Sequence, residues 1–510
     1  MPTKNNSQNK PQSTNDKIFL KKIVPTCFAI IFSIILIVLL CFSWIPYCAG
    51  KTFSLPNIVS LIMSLPTAAI IYWLFKKLSV TDRAFYITIT IIFSILFILQ
   101  IVMLYHTYFY SGWDMRNLDI LANTVAKTGS IMNAENSGYL SMYPNNVLLV
   151  AILSLIKSVP FFGEHYIFLL SINAMLVNLA CLLTCLSIKK LLSNRAALLA
   201  IFVLAPLLIF SPWIIIPYSD TFTILLPVFI FYIYLKNNKR WWDYFLISLC
   251  GTIGFFIKPT IIIVVAAIVF TKLFTKKWNK RPFYCKSEIK HIAIFSAGII
   301  AAFLCKTAAT SYIDFHQNDS MAPVSFVHYL AMGQNDENCG IYLAQDVEEA
   351  KYGKLFELKK FLHRISSRNP IETINFFTRK LLVNYNDGTF AWSAEGSFYY
   401  DVPIRECHIS NSLTNYFYES KNYYPIFVQI NQTIWIFTLF GCIFVIRRTQ
   451  SKEISVLEIS LIGLSIFVML FEARARYLFS YIPFFIVTAS LGYQQLKDAL
   501  KNRKISINQR

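Results

Sequence analysis

Charge is scarce in this chain. Only 15% of its 510 residues are Asp, Glu, Lys or Arg, against roughly 25% in soluble domains. That deficit argues against an ordinary soluble domain. No Cys-x-x-Cys pair occurs among the 11 cysteines, so the common zinc and dithiol spacings are missing. Most cysteines lie inside apolar runs and read as small buried hydrophobes. Cys339 and Cys407 fall in one long polar loop, where a disulfide between them is open. The histidines show no metal-ligand spacing. There is no Gly-rich phosphate loop and no Walker motif, so nothing points to an ATP-driven pump.

Apolar residues dominate instead. The chain is 56% hydrophobic and 16% aromatic, arranged in repeated apolar runs long enough to cross a bilayer. Exposed spans must be helical, because the hydrocarbon core offers no partners for an open backbone. The expected fold class is an all-α polytopic membrane protein. Spans are expected at 23–45, 57–75, 84–106, 165–188, 196–217, 220–235, 243–257, 259–275, 291–312, 426–446, 454–471 and 477–493. These make a bundle of about 12 helices, with the first run retained rather than cleaved as a signal peptide.

The net charge is +20. No zinc-finger or RNA-binding signature accompanies it, so nucleic acid is not an expected partner. Most of the 47 Lys and Arg residues cluster between apolar runs, from Lys4 to Lys22 and around Lys189, Lys236, Lys276 and Arg447. Under the positive-inside rule these short loops are cytoplasmic, with both termini on that side.

The expected organisation follows. A disordered tail over 1–22 precedes the N-terminal spans 23–106. A first long outer loop covers 107–164 and the central spans 165–312. A large outer loop covers 313–425, followed by spans 426–493 and a tail from 494. In the first loop, Val147 to Phe162 reads as a juxtamembrane helix, because a crossing there would invert every basic loop downstream. Lys157 on it can snorkel. In the second loop an amphipathic helix is expected from Asp346 to Arg368, and another from Ile371 to Leu382.

Candidate functional residues gather at the outer ends of the spans. Asp114 is the first acid after a span end, where a carboxylate can act as general base toward a hydroxyl. Arg116 and Asp119 follow it; they either support Asp114 or form an exposed helix face. Asp220 is either a first-turn acid favoured by the helix dipole or a site residue. Lys258 is either a snorkelling lysine or an outer-leaflet phosphate contact. Glu472, Arg474 and Arg476 lie in the last outer turn. Two arginines there suit phosphate recognition, and pairing with Glu472 alone is the other reading.

The order of these features resembles the GT-C superfamily of polyprenyl-phosphate-sugar-dependent glycosyltransferases. Within it, the bacterial relatives of protein O-mannosyltransferases are the nearest in pattern. The shared features are the acid opening the first outer loop and Tyr143-Pro144-Asn145-Asn146 heading a juxtamembrane helix. The outer Tyr218-Ser219-Asp220 and Lys258-Pro259 complete them. Two positions depart from the family pattern: Asp114 is followed by Met115 rather than Glu, and Pro144 by Asn145 rather than Pro. The resemblance implies a GT-C-like bundle with an extracytoplasmic active site in the cell membrane. It implies Asp114 as catalytic base in an inverting transfer of a hexose or pentose from a polyprenyl phosphate. Tyr143, Asn145, Asp220 and the outer cations Lys258, Arg474 and Arg476 would be substrate contacts. The acceptor would be a wall polymer, a glycan, a lipid or a protein. No cofactor is certain, and a divalent metal stays open. The alternatives are a lipid or polysaccharide flippase and a wall-polymer polymerase or ligase.

Overall fold

The computed structural model describes residues 22–45, 55–74, 76, 79–132, 134–163, 165–236, 238, 240–275, 286–317, 323–392, 399–403, 407–418, 421–447 and 451–508. The expected N-terminal tail lies almost wholly outside them.

The apolar runs fold as helices, and the chain is an all-α polytopic membrane protein. The N-terminal helices are α1 (Val24–Cys41), α2 (Asn57–Leu74) and α3 (Asp82–Thr107). After β1 (Tyr110–Ser111), the first loop holds α4 (Trp113–Thr128) and α5 (Val147–Lys157). The central helices are α6 (Tyr166–Leu191), α7 (Asn194–Leu204), α8 (Leu225–Lys236), α9 (Trp241–Ile257), α10 (Ile262–Thr275) and α11 (Lys286–Tyr312). The second loop carries α12 (Phe326–Met332), α13 (Ala344–Glu349), α14 (Lys354–Ser366), α15 (Pro370–Tyr385), β2 (Tyr399–Asp401) and α16 (His408–Phe417). The last helices are α17 (Tyr424–Cys442), α18 (Lys452–Leu470) and α19 (Ile482–Asn508).

Among the described residues, seven helices are long and apolar enough to cross a membrane, and five shorter apolar helices accompany them. Polar caps set several starts. Thr81, Ser193 and Ser451 accept from the backbone N–H of Ala84, Ala196 and Ile454, which satisfies donors left open in a first turn. Ile91, Ile95 and Ile98 on α3 and Ile300, Phe303 and Leu304 on α11 stay more than half exposed. In water such faces would drive aggregation; lipid chains solvate them.

Polar groups inside the bundle are bonded to one another. Asn57 donates to Asn386 at 2.6 Å, and Gln432 donates to Asn57 at 2.8 Å. This knot ties α2, the end of α15 and α17 together, so the second loop re-enters the bundle there. The backbone at Gly388 approaches α17 so closely that a Cβ would meet the Asn431 carbonyl oxygen at 2.4 Å. Only glycine fits that approach.

Three local differences from expectation have plain causes. The helix expected over 346–368 breaks at Gly353, whose φ of +89° no helix tolerates. The last span begins as a tight 3-10 turn, Ala475–Tyr481, before α19. Cys407 is a free thiol while Cys339 is disulfide-bonded, so these two cysteines are not joined to each other.

Helix α5 has 11 residues. At 1.5 Å per residue it spans about 16 Å, half of a roughly 30 Å hydrocarbon core. It packs along α4 and α11.

Candidate active site

Helix α4 begins at a strained residue. Trp113 has φ +63°, a left-handed conformation that is an outlier for a bulky side chain. The neighbouring Gly112 forms the N-cap without a side-chain bond. This geometry places the indole against the Arg476 guanidinium, 4.1 Å from the ring centroid. It also sets Asp114 in the first turn, where the helix dipole favours an anion.

Around half-buried Asp114 stands a ring of tyrosines. Tyr218 donates to Asp114 Oδ2 at 3.4 Å, and Tyr139 lies within the field of the Asp114 charge. Asn146 donates to the Tyr139 oxygen at 3.0 Å. Tyr143 and Tyr329 lie within the field of both Asp114 and Glu472. Burial and the Asp114 charge push the Tyr143 hydroxyl up to about 12. Burial, joined by neighbouring negative groups, raises Tyr139, Tyr218 and Tyr329 further. All four therefore stay protonated and can donate at neutral pH.

Beneath this aromatic mouth lies a floor of buried charge. Arg474 Nε bonds Glu472 Oε1 at 2.6 Å, and Tyr477 donates to Glu472 Oε2 at 2.8 Å. Burial works to raise the Glu472 carboxyl, but Arg474, Tyr477 and Arg476 hold it below the usual carboxylate range. Lys258 forms a contact ion pair with Asp220, and Arg476 Nε lies 3.9 Å from the other Asp220 oxygen. Arg476 also faces the Tyr218 ring, its guanidinium 5.6 Å from the centroid.

Six candidate residues thus converge from segments far apart in sequence: Asp114, Tyr143, Asp220, Glu472, Arg474 and Arg476, with Lys258 joined through Asp220. Three do not join them. Arg116 and Asp119 lie on the opposite side of α4, where Lys157 bonds Asp119 at 2.8 Å. Asn145 is exposed, and its neighbour Asn146 reaches Tyr139 instead. Lys258 and Arg474 are both held by carboxylates rather than standing as isolated cations. Tyr139, Tyr329 and Asn146 were not among the sequence candidates. Only Tyr139 carried a signal, lying one helical turn before Tyr143 on the same face. Among the described residues no three His, Cys, Asp or Glu side chains cluster as a metal site.

The floor rests on one buried strut. Lys380 of α15 donates to the carbonyls of Gly333 and Phe471, and so braces the turn that carries Glu472 and Arg474. Burial, with the Arg368 charge, pushes its amine down to about 7, against an opposing pull from Glu472. The folded value lies below the unfolded one. Stability from this group is therefore complete above pH ~10.4 and is lost as pH falls toward 7. The melting temperature is expected to rise from pH 7 to 10 more steeply in the native protein than in Lys380→Met. Parallel slopes in the two proteins would refute the assignment.

A helical integral membrane protein with a polar, aromatic-ringed acid at one end of its bundle is the class this structure defines. The chain belongs to the family described as "conserved hypothetical integral membrane protein", whose model matches residues 18–497. No curated protein matches it. Among solved structures it is similar to the archaeal oligosaccharyltransferase AglB from Archaeoglobus fulgidus in complex with an inhibitory peptide and a dolichol-phosphate. Identity is 12%, coverage is 82% of this chain and 52% of that one, and the TM-score is 0.38. This chain spans about half the length of that protein.

Proposed function

We propose that the protein is a membrane glycosyltransferase that moves a sugar from a polyprenyl phosphate to an acceptor hydroxyl, with Asp114 as general base. The observation that carries this reading is the Asp114 cluster itself. One carboxylate, hydrogen-bonded by Tyr218, stands beside an arginine stacked on the first residue of the same helix. In the proposed step the acceptor O–H gives its proton to Asp114. Its oxygen attacks the anomeric carbon, and the carbon–oxygen bond to the phosphate breaks with its electron pair leaving on the phosphate. Configuration at that carbon inverts. Arg476, stacked on Trp113 beside Asp114, stabilises the departing charge. Lys258, Arg474, Asp220 and Glu472 fix that arginine's surroundings. Tyr143 lines the approach to Asp114.

The test incubates the purified protein with polyprenyl-phospho-hexose, -N-acetylhexosamine and -pentose donors and measures free polyprenyl phosphate by mass spectrometry. Release that depends on Asp114 is expected with at least one donor. Release from none, or release equal in Asp114→Asn, removes the proposal.

The same reading puts both long loops outside the cell and both termini in the cytoplasm. Single cysteines introduced at Glu135 and Ser366, both exposed, are expected to gain labelling by an impermeant maleimide in intact cells. If neither labels until the cells are opened, the orientation is reversed.

A further inference from the structure

A cavity lies on the far side of α4 from Asp114. Successive helical residues are 100° apart, so Met115, Arg116, Asp119 and Ile120 lie on the side of α4 turned away from Asp114. They line a cavity of about 230 Å³ together with Tyr110, Ser111, Tyr166 and Asp401. Its wall is built by long-range structure. The β1–β2 ladder pairs Tyr110 with Asp401 and so brings the second loop over the first. The Tyr110 and Tyr166 rings meet at 4.9 Å. Lys157 bonds Asp119 and lies 5.9 Å from the Tyr166 ring centroid.

We propose that this cavity is a second saccharide-binding site, separate from the Asp114 cluster. A pyranose presents an apolar C–H face and a rim of hydroxyls. The two tyrosine rings offer a surface for the face. Arg116 donates to the rim hydroxyls, while Asp119 and Asp401 accept from them. The volume falls below the roughly 300–1,000 Å³ of pockets that take drug-sized ligands, which suits one sugar ring. A purely lipid-facing aromatic belt would not explain the arrangement, because Tyr166 is buried and the wall carries two carboxylates and a guanidinium. The site suits a sugar unit of a glycan held near, but not at, the reacting centre.

The proposal extends the glycosyltransferase reading, yet its test needs no donor. Saturation-transfer NMR of the full protein in nanodiscs would use methyl glucoside, galactoside, mannoside and N-acetylglucosaminide as probes. At least one is expected to receive saturation from the native protein and from Asp114→Asn. The signal is expected to fall at least tenfold in Tyr110→Ala and in Asp401→Asn. Both positions are partly exposed at the ladder, and unchanged size-exclusion profiles would show that these variants fold. No saturation of any probe overturns the second site, as does a signal that persists in both variants. Either failure leaves the donor-cleavage result standing on its own.

Discussion

Asp114→Asn is expected to lower turnover about 100- to 10,000-fold, the usual contribution of a general base, with donor binding retained. Asparagine keeps the size of the side chain and an oxygen that can accept from Tyr218. The aromatic ring should therefore keep its geometry, and the loss should be chemical. An amide cannot take the acceptor's proton. Burial and the surrounding charges hold all four tyrosines neutral, so none of them takes over as a base near neutral pH. The measurement is single-turnover release of polyprenyl phosphate, compared with donor affinity in the same preparation. Lys127→Gln, exposed near the far end of α4 and outside both sites, is the control. A near-normal rate in Asp114→Asn would show that the proton leaves by another route. Equal losses in both variants would point to the helix, not the carboxylate.

Much of the bundle was legible because long apolar runs admit one solution in a bilayer. Expected spans such as 57–75, 84–106 and 243–257 agree with α2, α3 and α9 within two or three residues. The ends that differ do so for local reasons, as at the 3-10 turn from Ala475 to Tyr481. The site was legible in part. Acids and arginines at span ends are rare in so apolar a chain, and that rarity marked Asp114, Asp220, Glu472, Arg474 and Arg476. Helical phase already separated Arg116 from Asp114 by about 200°, and it argues for the two faces the structure displays. Other features had no local signal. Tyr329 reaches the cluster from a loop more than 200 positions beyond Asp114. The left-handed Trp113 packs on Arg476, a contact across more than 350 positions that the sequence does not encode locally. Lys258 and Asp220, 38 positions apart, could not be known as partners.

That pairing carries the largest expected effect on stability. Asp220, Lys258 and Arg476 are each at most 5% exposed, and one carboxylate answers two cations. Asp220→Asn removes the anion and leaves both cations without it in a dry environment. Breaking a buried pair from one side costs about 3–5 kcal/mol. Burial and the Arg476 charge already push the Lys258 ammonium down, so the amine should lose its proton in the variant and recover part of that cost. The double variant Asp220→Asn with Lys258→Met removes the buried amine and the cost of deprotonating it, and it should be clearly more stable than Asp220→Asn alone. Thermal unfolding of the four proteins in one detergent gives the coupling between the positions. If Asp220→Asn melts with the native protein, the pair does not hold the floor of the site. Strict additivity would mean that Lys258 acts independently of Asp220, as a cation free to meet a phosphate.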